Sequence, residues 1–133
     1  MAFVLDASIA VGWVVAKQAT AQGKRVRLRA RHEPYHAPSL WREEVVNALR
    51  SLERRRAISP GASAVAIGIL GRMQPVIHPG TAPLADLLAL ARRFDLSAYD
   101  ASYLALALEL GMPLACSDGP LKTAAGRAGI KLV

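Results

Sequence analysis

Residues 2–17 read AFVLDASIAVGWVVAK, and the opening of that stretch decides the fold class. Residues 2–5 are apolar at every position, without the alternation of a strand that keeps one face in water. They therefore read as a strand buried on both faces, stopped at once by Asp6. Residues 8–17 look helical, and a buried strand feeding a helix is the first half of a βα unit.

The same alternation continues down the chain. Residues 34–38 are too rich in proline for a helix, which leaves 35–37 as a short strand. Pro38 and Ser39 signal a helix start, and residues 40–56 place Trp41, Val45, Ala48, Leu49 and Leu52 on one buried face. Ser59 and Pro60 open a helix to about Met73, residues 75–78 form a strand, and Pro83 begins a helix to Phe94. Ser97 caps a helix through Leu110 that Gly111 ends. Residues 113–116 then read as a strand, 121–127 as a helix and 130–133 as a last strand. The sum predicts an α/β fold, a central and mainly parallel sheet flanked by helices in three layers. Residues 24–31, KRVRLRAR, fit either a strand charged on one side or a basic helix over 19–31 weakened by Gly23.

At 133 residues, 53% hydrophobic and 20% charged, the chain suits a single domain over 1–133 with one core. Charges interrupt every apolar run before the eighteen or so residues that a membrane span needs. The first residues have neither a basic lead-in nor a long apolar core, so a cytoplasmic protein is expected. A lone cysteine, Cys116, excludes an internal disulfide, and nothing stands at zinc-finger spacing. Seventeen Lys and Arg against ten Asp and Glu give a net charge of +7. Thirteen of the seventeen are arginine, whose planar fork suits phosphate, so a polyanionic partner stands beside plain solubility as a reading.

Parallel α/β sheets bind their ligands at the carboxyl ends of the strands. Asp6 and Asp118 both follow predicted strands there, although each also suits a helix N-cap. Glu44 lies about 60° from Trp41 around its helix, on the flank of the buried stripe beside Asn47, whereas Glu43 points away. Asp100 shares its helical face with Leu104 and Ala107, where a carboxylate needs a partner; a dipole interaction in the first turn does not by itself require that facing. Four carboxylates aimed at one crevice would repel one another without a cation among them. An all-oxygen set selects a hard ion such as Mg²⁺ or Mn²⁺, and such an ion can activate water against a phosphodiester.

Four segments, VLDASIA at 4–10, APSLWREEVVNAL at 37–49, LSAYDASYLALAL at 96–108 and ACSDGPLKTAA at 115–125, together resemble the PIN domain ribonucleases, VapC-type toxins above all. The resemblance implies a PIN fold and a Mg²⁺- or Mn²⁺-dependent endoribonuclease, dimeric and inhibited by a small VapB-type antitoxin. It places the family's acidic quartet on Asp6, Glu44, Asp100 and Asp118, with Ser8 as the hydroxyl after the first Asp and Asn47 as the amide after the Glu. The family often has Thr two residues before its last Asp; Cys116 stands there, which moves any hydroxyl support to Ser117. Two other readings are a PIN nuclease of RNA processing or DNA repair without an antitoxin, and a non-catalytic nucleic-acid-binding domain.

The other polar candidates read more plainly. His32, His36 and His78 have no partner at ligand spacing and suit surface or packing roles. Cys116 suits buried packing, and Trp13 and Trp41 suit core or dimer contacts. Arg54, Arg55 and Arg56 suit the negative end of their helix. Arg25, Arg27 and Arg29 are the candidate RNA contacts.

Overall fold

The computed structural model describes every residue from Met1 to Val133 except Asp118. Among the described residues, four strands form one sheet in the order β3-β2-β1-β4, all parallel. They are β1 (Phe3–Leu5), β2 (Tyr35–Pro38), β3 (Val76–His78) and β4 (Leu114–Ala115). Among the described residues, seven α-helices connect or flank them: α1 (Ala7–Val14), α2 (Ala21–Ala30), α3 (Trp41–Arg54), α4 (Pro60–Leu70), α5 (Leu84–Phe94), α6 (Ala98–Leu110) and α7 (Gly119–Arg127).

β1 is central, and Phe3, Val4 and Leu5 are wholly buried, as an apolar run with no wet face requires. α6 lies over β1, β2 and β4 with α5 and α7 on its flanks, while α1 gathers α2, α3 and α4. Trp41, Val45, Leu49 and Leu52 form the buried stripe of α3. Ser59 and Ser97 cap α4 and α6 by accepting from the Ala62 and Asp100 amides, each at 3.1 Å, and Gly111 ends α6 with a φ of 62°.

Two expectations change, and one open alternative is decided. The basic segment is the helix α2: Thr20 caps it through the Gly23 amide at 2.9 Å, and only Gly23 and Val26 are buried. A strand would bury Leu28 alongside Val26, yet Leu28 is 58% exposed. Gly23 fits where the two helices meet: a Cβ there would stand 3.1 Å from Thr20 Oγ1, and its carbonyl accepts from Trp13 Nε1 at 2.7 Å. α1 stops at Val14 and gives way to a 3₁₀ turn over Ala16–Gln18. α3 starts where Pro38 and Ser39 signal it, with Leu40 at its N-cap and no side-chain cap bond, and the Ser39 amide donates to the His78 carbonyl at 3.0 Å. The expected last strand at 130–133 contracts to one bridge between Leu114 and Leu132.

Candidate active site

The sheet order creates the crevice. The chain leaves β1 to form β2 on one side and returns as β4 on the other, so the connections part at the carboxyl end of β1. Asp6 stands there. Its amide donates to the Ala115 carbonyl at 2.9 Å, carrying the β1–β4 ladder one residue past the strand, and its side chain caps α1. Oδ2 accepts from the Ser8 hydroxyl and from the Ser8 amide, the latter at 3.4 Å. Asp6 is only 5% exposed.

Glu44 comes from the first turn of α3 and is half-buried, while Glu43 faces solvent as its helical angle requires. Asp100, also half-buried, comes from the first turn of α6. The carboxyls act on one another in sequence, Asp100 on Glu44 and Glu44 on Asp6. Burial pushes the Asp6 carboxyl up to about 6; the Ser8 hydroxyl opposes this, and the nearby Glu44 charge adds to it. Burial also raises Glu44, against the pull of the Tyr103 phenol and with a further push from Asp100. Among the described residues no three acidic, histidine or cysteine side chains converge closely enough to hold an ion by themselves. Asp118 lies outside the described residues.

Tyr103 is the site residue that the sequence reading missed. It is wholly buried on α6, and burial plus the charges of Asp6 and Glu44 hold its phenol far above the ordinary tyrosine range, so it stays protonated. Its hydroxyl faces Glu44 closely enough to favour the charged carboxylate but falls short of ordinary hydrogen-bond geometry. Tyr103 Oη and Glu44 Oε1 are both buried without a hydrogen-bond partner. The signal was available: Tyr103 follows Asp100 by three residues, hence lies one turn along the same inward-facing stretch of helix.

Asn47 is exposed, in an open groove of about 640 Å³ shared with Glu44, Arg42, Arg50 and Tyr99. Ser117 contributes its backbone, which donates to Ser8 Oγ at 3.4 Å. Arg25 and Arg27 are exposed on α2, Arg27 donating to the Trp13 carbonyl at 3.4 Å. Arg29 is tied more firmly, to Glu33 at 2.8 Å and over the Phe3 ring. Cys116 and Trp41 are buried, in keeping with packing roles. The expectation that the histidines lack partners fails for two of them. β2 and β3 pair so that His36 Nδ1 meets His78 Nε2 at 2.8 Å, a contact between strands that sequence spacing does not reveal.

Residues 3–126 match the PIN domain family. The chain belongs to that family. This PIN domain is 35% identical over 131 residues to Ribonuclease VapC12 of two Mycobacterium tuberculosis strains, CDC 1551 / Oshkosh and ATCC 25618 / H37Rv, with 98% of each chain covered. It stands with the VapC-type members of the family. A solved structure, PAE2754 from Pyrobaculum aerophilum, overlays it with a TM-score of 0.62 at 26% identity, covering 93% of this PIN domain and 87% of that chain.

Proposed function

We propose that this chain is a single-domain endoribonuclease dependent on Mg²⁺ or Mn²⁺, the toxin of a toxin–antitoxin pair, neutralised in the cytoplasm by a small VapB-type antitoxin. Its likeness to Ribonuclease VapC12 over the whole length supports the nuclease and the antitoxin. The observation that carries the chemistry is Asp6, buried at the carboxyl edge of the sheet and raised to about 6 with Glu44 beside it.

Acidic side chains from three elements, held partly out of water, repel one another until a hard cation joins them. The residues fit that ion: the donor set is all oxygen, and Glu44 Oε1 is a buried acceptor left open. Asp6 and Asp100 would hold it directly, with Glu44 and Asp118 completing the set or holding its waters. Bound there, it supplies the charge that makes water a nucleophile near neutral pH and that offsets the negative charge developing on a scissile phosphate.

The chain's own groups prepare the site. Ser8 fixes the Asp6 carboxylate with two donors and favours its ionised form. The Tyr103 phenol, which stays protonated, lies near enough to favour the charged form of Glu44 without a formed hydrogen bond. In the groove that reaches Glu44, the Arg42 and Arg50 guanidiniums attract phosphate, Asn47 offers an amide, and the 62% exposed Tyr99 offers a ring for a base. Arg25, Arg27 and Arg29 add to the long-range attraction of a chain of charge +7. Exposed Val46, Leu84 and Leu88 supply apolar surface for a homodimer or the antitoxin.

Excess EDTA should abolish cleavage of single-stranded RNA, and Mg²⁺ or Mn²⁺ should restore it. Undiminished cleavage in EDTA would refute the metal dependence. Co-purification of a small protein encoded next door supports the toxin role, and its failure favours a processing nuclease.

A further inference from the structure

A line of hydrogen bonds joins three distant segments of the chain at the back of Asp6. Lys122 Nζ on α7 donates to Gln22 Oε1 on α2 at 2.8 Å. Gln22 Nε2 donates to the Cys116 carbonyl at 3.0 Å. The amide of the same peptide unit, Ser117 N–H, donates to Ser8 Oγ at 3.4 Å, and Ser8 Oγ donates to Asp6 Oδ2. The peptide between Cys116 and Ser117 is thus gripped at both ends.

Each step follows from the donors available. An ammonium can only donate, so Lys122 fixes which end of the Gln22 amide it meets, and the NH₂ end is left to face Cys116. A flipped amide would set NH₂ against NH₃⁺. With the carbonyl of the peptide held, its N–H is aimed at Ser8. The Ser8 hydroxyl oxygen then accepts from one side while its hydrogen is committed to Asp6. Every donor in the line points the same way, from a cation to a carboxylate, so the bonds polarise one another in the same sense. Gln22 and Lys122 are both half-buried.

We infer that Gln22 and Lys122 are positioning residues for the metal centre, setting the orientation of Ser8 and Asp6 through the peptide between Cys116 and Ser117. The inference rests on the reading of Asp6 as a metal-holding carboxylate. Groups that orient ligands from behind typically change metal affinity or activity by 10- to 100-fold when removed.

The test is Mn²⁺ binding to RNA-free protein by electron paramagnetic resonance, together with kcat and KM on a single-stranded RNA and thermal unfolding in EDTA. Gln22→Leu and Lys122→Met should each weaken Mn²⁺ binding about tenfold and lower kcat, with KM within about twofold. The double variant should lose little more than either single, because both act through one peptide. Lys122→Arg keeps the donor and should restore binding. Should Gln22→Leu unfold, Gln22→Glu keeps the acceptor for Lys122 but has no hydrogen for Cys116, and should still weaken Mn²⁺. Wild-type Mn²⁺ binding in the folded variants overturns the inference, and so does a rise in KM alone, which would make Lys122 an RNA contact. Asp6→Asn separates the two levels. If it weakens Mn²⁺ binding while the Gln22 and Lys122 variants do not, only the inference fails; if it binds Mn²⁺ as wild type, the metal site falls too.

Discussion

Asp6→Asn should stabilise the metal-free protein while removing its activity. Asp6 is 5% exposed and its carboxyl titrates at about 6 instead of 3.8, so at pH 8 its ionised form opposes folding. Two pKa units correspond to about 3 kcal/mol. Asparagine is an equally good N-cap and, like the protonated carboxyl it resembles, still accepts from Ser8, whose preference for the ionised form is already contained in the shift. The gain is therefore about 3 kcal/mol. With an unfolding entropy of about 2.1 cal/mol/K per residue, a chain of 133 residues should melt about 11 °C higher.

The sign fixes the pH window. Because the folded value is raised, the contribution of Asp6 to stability is fully present below 3.8 and is lost as pH rises through about 6. The advantage of the variant should therefore be largest above pH 7, and the electrostatic part should fall to about a third of that by pH 4.5. Urea unfolding in EDTA at both pH values measures it. Saturating Mn²⁺ should then reverse the order, stabilising the wild type and not the variant. A variant no more stable than wild type at pH 8, or an advantage independent of pH, would show that Asp6 is solvated in the folded protein and that its burial sets no cost.

Asp100→Asn preserves the amide that Ser97 accepts and should fold normally, yet lose RNA cleavage by at least a hundredfold, whereas Glu43→Gln, on the solvent side of α3, should cleave as wild type. The His36–His78 contact needs at least one neutral ring, and burial with the neighbouring His78 lowers the His36 pKa. Its contribution to stability is thus complete above about 6.5 and is lost at lower pH, which urea unfolding of Asp6→Asn protein with and without His78→Asn should detect free of the opposing Asp6 effect. Charge reversal at Arg25 and Arg27 should weaken RNA binding and flatten its salt dependence without lowering the melting temperature by more than about 2 °C, while reversal at Arg29 should also destabilise, since it breaks the Glu33 pair and the Phe3 contact.

The features legible in the sequence were those that a few neighbouring residues determine. An all-apolar β1, the period of α3 from Trp41 to Leu52, and the serine caps of α4 and α6 each involve neighbours within one or two turns. What the sequence hid was set by partners far away. Residues 24–31 satisfy the period of a strand; Thr20 and the approach of Trp13 to Gly23 made them a helix. Strand pairing put His36 against His78 across 42 residues.

The same distinction runs through the site. Asp6, Glu44 and Asp100 could be picked out one at a time, because a carboxylate on an apolar strand end or helix face is anomalous where it stands. Their supports could not. Gln22 and Lys122 are ordinary polar residues on helices, and they become unusual only when α2 and α7 bring them to one peptide. Tyr103 lies between these cases, a phenol on a buried face that reads as packing until the charges of Asp6 and Glu44 surround it. A charged group costs free energy where it is buried, and that cost marks its position in the local pattern. A neutral donor that offsets the cost leaves no such mark, so the groups that tune this site emerge only from the folded arrangement.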